Sequence, residues 1–135
     1  MAGYSGTPLA SKLGIKAGCQ LAAINTPRNY EDIVAPMPEG VKVAKRITSR
    51  TNIVHIFSTK KHRLAQLLEI SLKRIQPQTS IWVSWPKKSS HVDSDVTEES
   101  IREIALPMGL VDIKVCAVDE TWSGLKLVIR KENRK

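Results

Sequence analysis

Ser80 to Trp85 reads S-I-W-V-S-W, a run in which Ile81, Trp82, Val83 and Trp85 supply β-branched and aromatic groups before Pro86. Apolar side chains on both sides of the pleat mark a strand buried on both faces. Proline cannot donate to a sheet ladder, so the strand is expected to end at Pro86. Lys87, Lys88, Ser89 and Ser90 follow at once. They put ammonium and hydroxyl groups at the carboxyl end of a central strand, where open α/β sheets bind ligands.

Around this strand the pattern switches between two periods. Gln20–Ile24 and Ile53–Phe57 are short apolar runs of strand type, the second interrupted by His55. A histidine inside such a run is more often a satisfied core group than a catalyst. Val41–Ile47 alternates, with Val41, Val43 and Ile47 set against Lys42 and Arg46, the pattern of a strand near a sheet edge. Leu64, Leu67, Leu68, Leu72 and Ile75 recur at helical spacing between a Thr59 cap and Pro77. Ile101, Ile104, Ala105 and Met108 repeat that spacing after a Thr97 cap, with Glu98 and Glu99 suited to the positive end of the helix dipole. Pro107 is expected to strain the last turn and Gly109 to end it. Thr7-Pro8-Leu9 predicts a short opening helix with a threonine cap, proline at its first position and Gly14 at its close. Tyr30–Val34 predicts a short helix or turn. Asp112–Val118 and Leu125–Arg130 read as two last strands, and the hairpin-sized loop Asp119–Gly124 makes that pair antiparallel. Strands alternating with helices imply a mostly parallel sheet with helices on both faces and right-handed crossovers.

Length and hydrophobic content bound the picture to one soluble domain over residues 1–135, with a flexible tail at 131–135. No apolar run reaches membrane-spanning length and no signal-peptide segment opens the chain, so a cytoplasmic protein is expected. Cys19 and Cys116 lack metal or redox spacing and read as reduced core thiols. The formal charge of +8 changes the picture more, because it favours an anionic small molecule or an acidic protein surface as partner. Specific nucleic-acid binding is not expected. The cations are scattered over Lys42, Lys45, Arg46, Arg50 and Lys60–Arg63, and no nucleic-acid-binding motif accompanies them.

Three stretches carry a resemblance. A-G-Y-S-G-T-P-L at Ala2–Leu9 with K-L-G-I at Lys12–Ile15, W-V-S-W-P-K-K at Trp82–Lys88, and C-A-V-D-E-T-W-S-G-L-K at Cys116–Lys126 resemble a family of small bacterial proteins. That family is filed as a domain of unknown function, is common in actinobacteria and relatives, and implies no particular activity. The layout of elements is also similar to the class I methyltransferase scaffold. This second resemblance implies a three-layer, Rossmann-like α/β sheet of about six strands in the order 2-1-3-4-6-5, the last strand antiparallel. It further implies S-adenosylmethionine over a glycine-rich turn after the first strand, with an acidic residue after the second. Asn25-Thr26-Pro27 and Thr48-Ser49-Arg50 stand at those places, so the residues predict no bound cofactor.

The candidate site is the carboxyl edge of the sheet. Asn25, Thr59, Lys60, Trp85, Lys87, Lys88, Asp119, Glu120 and Trp122 are its expected ligand-binding residues. The start of the helix after Thr59 offers free N–H groups to an anion, beside the lysine pair. The first expectation is a non-catalytic or vestigial binding domain for an anionic small molecule, nucleotide or acidic partner. The alternatives are a small enzyme, methyltransferase-like or using Asp119 or Glu120 as acid and base with Lys87 and Lys88, and a weak nucleic-acid binder. His91, Asp93 and Asp95 alternate in a polar loop without a fourth convergent ligand, so no metal is expected.

Overall fold

In the computed structural model, which describes residues 7–134, β4 (Ser80–Pro86) is buried along its whole length. It lies between β3 (Ile53–Phe57) and β6 (Trp122–Ile129), parallel to the first and antiparallel to the second. β1 (Gln20–Ile24) and β2 (Lys42–Ala44) continue the parallel side, and β5 (Leu110–Ala117) closes the other edge antiparallel to β6. The order is β2-β1-β3-β4-β6-β5, as the sequence implies. Residues Ala2–Gly6 of the first motif lie outside the described residues. Among the described residues no helix is long and apolar enough to cross a membrane.

Alternation along β4 splits the core into two layers. Ile81, Val83 and Trp85 face one side with Val54, Ile56, Leu125 and Leu127, covered by α3 (Lys61–Leu72) through Leu64, Leu67 and Leu68 and by α4 (Glu98–Ala105) through Ile101 and Ala105. Trp82 faces the other side with Leu21, Ala23, Ile53 and Phe57, under α1 (Leu9–Leu13) and α2 (Tyr30–Val34). The Trp82 indole N–H donates to the Leu13 carbonyl at 3.0 Å and so ties the C-terminus of α1 to the central strand.

Several boundaries differ from the sequence reading, each for a physical reason. The second strand shrinks to Lys42–Ala44, because only that segment reaches β1 at an edge where Val43 stays 53% exposed. Pro8, not Thr7, is the residue before α1, and no side chain caps that helix. Pro107 does not strain α4; the α-helix stops at Ala105 and Leu106–Met108 tightens into a 3₁₀ turn that Gly109 closes at φ 91. β5 and β6 start earlier than expected, at Leu110 and Trp122. Gly124 therefore sits inside β6 rather than in a turn. A Cβ there would meet Val118 Cγ2 at 3.1 Å and the Trp82 ring at 3.3 Å, so the glycine makes room for the indole.

Thr59 does not cap α3. The helix begins at Lys61, whose N–H donates 2.7 Å to Asp95 Oδ1, while Asp95 N–H donates to the Thr59 carbonyl at 3.1 Å. The cap thus comes from the loop between β4 and α4. Asp95→Ala is expected to cost about 1 kcal/mol in chemical denaturation, the usual scale for losing a helix cap.

Candidate functional site

The carboxyl ends of β1, β3 and β4 and the β5–β6 turn form one edge, and the expected site residues divide along it into three groups. Asn25 follows β1, exposed, at φ 58. Half-buried Thr59 and exposed Lys60 stand at the start of α3, where Asp95 already accepts from the helix N-terminus. A carboxylate of the chain therefore fills part of the place that an outside anion was expected to take. Lys87, Lys88, Asp119, Glu120 and Trp122 form the third group, because Lys87 N–H donates to the Thr121 carbonyl at 2.8 Å and Pro86 is in register with Trp122.

Within that third group the turn is shaped by a carboxylate that accepts from the backbone. Asp119 Oδ1 accepts from the N–H groups of Thr121 at 2.9 Å and Trp122 at 2.8 Å, so one carboxylate oxygen shapes the turn. Glu120 and Lys88 are exposed and Lys87 is half-buried. Among the described residues neither lysine forms an ion pair with Asp119 or Glu120, because the backbone rather than the side chains joins loop to turn. Trp85 is buried in the α3–α4 layer and does not open to this edge. Trp122 lies on the opposite face, its ring edge-on to Phe57 at 5.0 Å. His91 and Asp93 are exposed, and Asp95 is engaged with Lys61.

A hollow of about 540 Å³ opens between α1, α2 and the β5–β6 turn. Thr7, Pro8 and Leu9 form one wall, Asn29, Asp32 and Ile33 a second, and Ala117–Thr121 the third. Lys12, Asp32, Asp119 and Glu120 supply its charged groups. Two of the three motif stretches meet here, and the third abuts through Lys87. Sequence reading reached only the Asp119–Trp122 side, because the contributions of α1 and α2 depend on their packing across the sheet.

One wall is anchored by a buried polar network that the sequence showed only as a lone histidine. His55 lies in the middle of β3, with Nδ1 2.9 Å from the Tyr30 hydroxyl and Nε2 2.7 Å from Ser84 Oγ. Each hydroxyl can donate or accept, so a neutral imidazole is satisfied at both nitrogens. Burial without a carboxylate partner pushes the His55 pKa down to about 3 and raises that of the Tyr30 phenol. Tyr30 also meets Phe57 edge-on at 5.5 Å, which fixes α2 over β3.

No family model matches the chain, and no curated protein matches it. Solved structures do. The B. subtilis tRNA methyltransferase TrmK is 11% identical over 90% of this chain and 66% of that one, with a TM-score of 0.59. A SAM-dependent methyltransferase from Aquifex aeolicus is 16% identical over 90% of this chain and 88% of its own, with a TM-score of 0.58. The N-methyltransferase NodS from Bradyrhizobium japonicum is 11% identical over 91% and 92%, with a TM-score of 0.59. The protein has a Rossmann-like, methyltransferase-like fold. Identities this low speak to fold alone.

Two places decide whether the residues fit S-adenosylmethionine. After β1, Asn25 makes the left-handed step that glycine usually supplies, but it brings a side chain, and Pro27 brings no N–H. After β2, exposed Lys45 and Arg46 stand where ribose hydroxyls call for a carboxylate acceptor. These residues do not fit the cofactor.

Proposed function

We propose that this chain is a small methyltransferase-like domain that binds an organic ligand in the hollow between α1, α2 and the β5–β6 turn. The observation that carries this reading is the convergence of Thr7–Leu9 and Ala117–Thr121 on one hollow beside the carboxyl edge. Ligands of open α/β sheets bind at that edge, and the volume is in the range of small-molecule pockets. The fold neighbours are named as methyltransferases, which weighs towards an enzyme on this scaffold. A second reading is a non-catalytic, vestigial domain for an anionic ligand. It is favoured by the departures at Asn25-Thr26-Pro27 and Lys45-Arg46.

Calorimetric titration separates the two, using S-adenosylmethionine, S-adenosylhomocysteine, nucleotides and phosphorylated metabolites against the wild type and Asn29→Trp. Asn29 is exposed on the hollow's wall, so the indole is expected to fill the hollow and leave the fold intact. Loss in Asn29→Trp of binding by at least one of these ligands, with an unchanged unfolding temperature, is the expected result. Saturable S-adenosylmethionine binding with methyl transfer makes the domain an enzyme; binding of another ligand without turnover selects the second reading. Binding that survives Asn29→Trp and disappears in the Lys87→Ala, Lys88→Ala double variant moves the site to the lysine loop and ends the proposal.

A further inference from the structure

The face of β5 and β6 on the α1 side is only partly covered, and its charges are arranged against themselves. Lys114 and Lys126 are direct cross-strand partners in the antiparallel ladder. Lys114 is exposed and Lys126 half-buried. Like charges directly opposite on one face oppose strand pairing, and among the described residues neither lysine has an ion-pair partner.

Lys126 also borders a hollow of about 420 Å³, separate from the one beneath the β5–β6 turn. The hollow lies at the amino end of the parallel strands. Lys16 enters it from the turn before β1, Lys126 from β6, and Asn52, Gln78 and Ser80 add amide and hydroxyl groups. No carboxylate is among the described residues that line it.

We propose that Lys16, Lys114 and Lys126 form a binding site for a phosphate-bearing small molecule, independent of the hollow assigned above. A phosphate dianion between ammonium groups relieves the Lys114–Lys126 repulsion and takes charge-assisted hydrogen bonds from two elements at once. Lysine suits this role as a flexible point charge. The hydroxyl and amide groups of Ser80, Asn52 and Gln78 offer neutral partners for whatever the phosphate is attached to.

The test is thermal unfolding of the full chain at constant ionic strength, titrating inorganic pyrophosphate and AMP against sodium chloride. The wild type is expected to show a saturable rise in unfolding temperature with either probe. Tighter binding of AMP assigns the phosphate to a nucleotide, and tighter binding of pyrophosphate to a free polyphosphate. The Lys16→Gln, Lys126→Gln double variant should weaken apparent affinity by about tenfold or more, the scale for losing hydrogen bonds to a charged group. Lys114→Glu supplies an internal control: it should raise the unfolding temperature without ligand, by pairing with Lys126, and abolish the response to pyrophosphate. Amide shifts on titration should centre on Gly18, Asn52 and Lys126. A wild-type response that is absent, that fails to saturate, or that persists equally in both variants would falsify the site.

Discussion

Trp82→Ala is expected to cost the fold about 3–5 kcal/mol, the range for truncating a large buried aromatic. The side chain is fully buried in β4, and its indole packs where Gly124 leaves room for it. Truncation opens a void between α1 and the sheet that Leu13, Phe57 and Val118 fill only by shifting. It also removes the 3.0 Å hydrogen bond that satisfies the Leu13 carbonyl at the end of α1. A loss of this size is a large fraction of a small domain's total stability, about 5–15 kcal/mol. Trp122→Ala should cost less, because Trp122 is only half-buried and meets Phe57 by one edge-to-face contact. Such a pair adds about 0.5–1.5 kcal/mol beyond area burial. Urea denaturation of both variants checks the ranking. A cost below about 1 kcal/mol for Trp82→Ala would mean that α1 is not held by β4, and the first wall of the larger hollow would go with it.

Most of the strand order was legible because local patterns and connection rules act together, while the insertion of β6 between β4 and β5 came from the likeness to the methyltransferase layout. The nearly unbroken apolar run Ile81–Trp85 called for a central strand, the alternation at Val41–Ile47 for an edge, and the short loop after β5 for an antiparallel return. What escaped was non-local. Nothing in Ser58-Thr59-Lys60 says that Asp95, thirty-four positions beyond Lys61, caps α3; Thr59 carries the local signal and the tertiary partner wins. Gly124 read as turn chemistry because the period-2 pattern stops there, yet its role is to accommodate Trp82 from the neighbouring strand. For the same reason the site was half legible. Asp119, Glu120 and Trp122 stood out as a motif, and the structure puts them beside Lys87 through a backbone bond. The α1 and α2 walls, and the Tyr30 anchor that holds one of them, depend on contacts between residues remote in sequence.

That anchor makes the protein acid-sensitive in a defined window. A histidine ordinarily titrates near 6.5, and burial pushes His55 down to about 3 in the folded chain. Between those values the unfolded chain binds a proton at this side chain that the folded chain refuses. Unfolding is therefore increasingly favoured as pH falls, with a slope of about 1.4 kcal/mol per pH unit for one proton. The stabilisation is fully present above pH 6.5, declines below it, and is gone by about pH 3. Its total is on the order of several kcal/mol. The groups that touch the ring are the Tyr30 and Ser84 hydroxyls and the Phe57 ring at 4.4 Å, none of which carries a negative charge to hold a proton there. Asp112 also makes the fold acid-sensitive, because its hydrogen bond from Arg102 holds its carboxyl below the ordinary value of 3.8. Its contribution starts to fall only about one pH unit above that value, so measurements between pH 6.5 and about 5 isolate His55. Urea midpoints across this range should fall steadily in the wild type. His55→Gln should be less stable at neutral pH, having lost ring packing against Phe57, but should show a flatter pH profile. An equal slope in the two proteins would assign the acid response to other groups. A flat wild-type profile would mean that His55 reaches solvent or a counter-charge and does not anchor α2 as a neutral, buried ring.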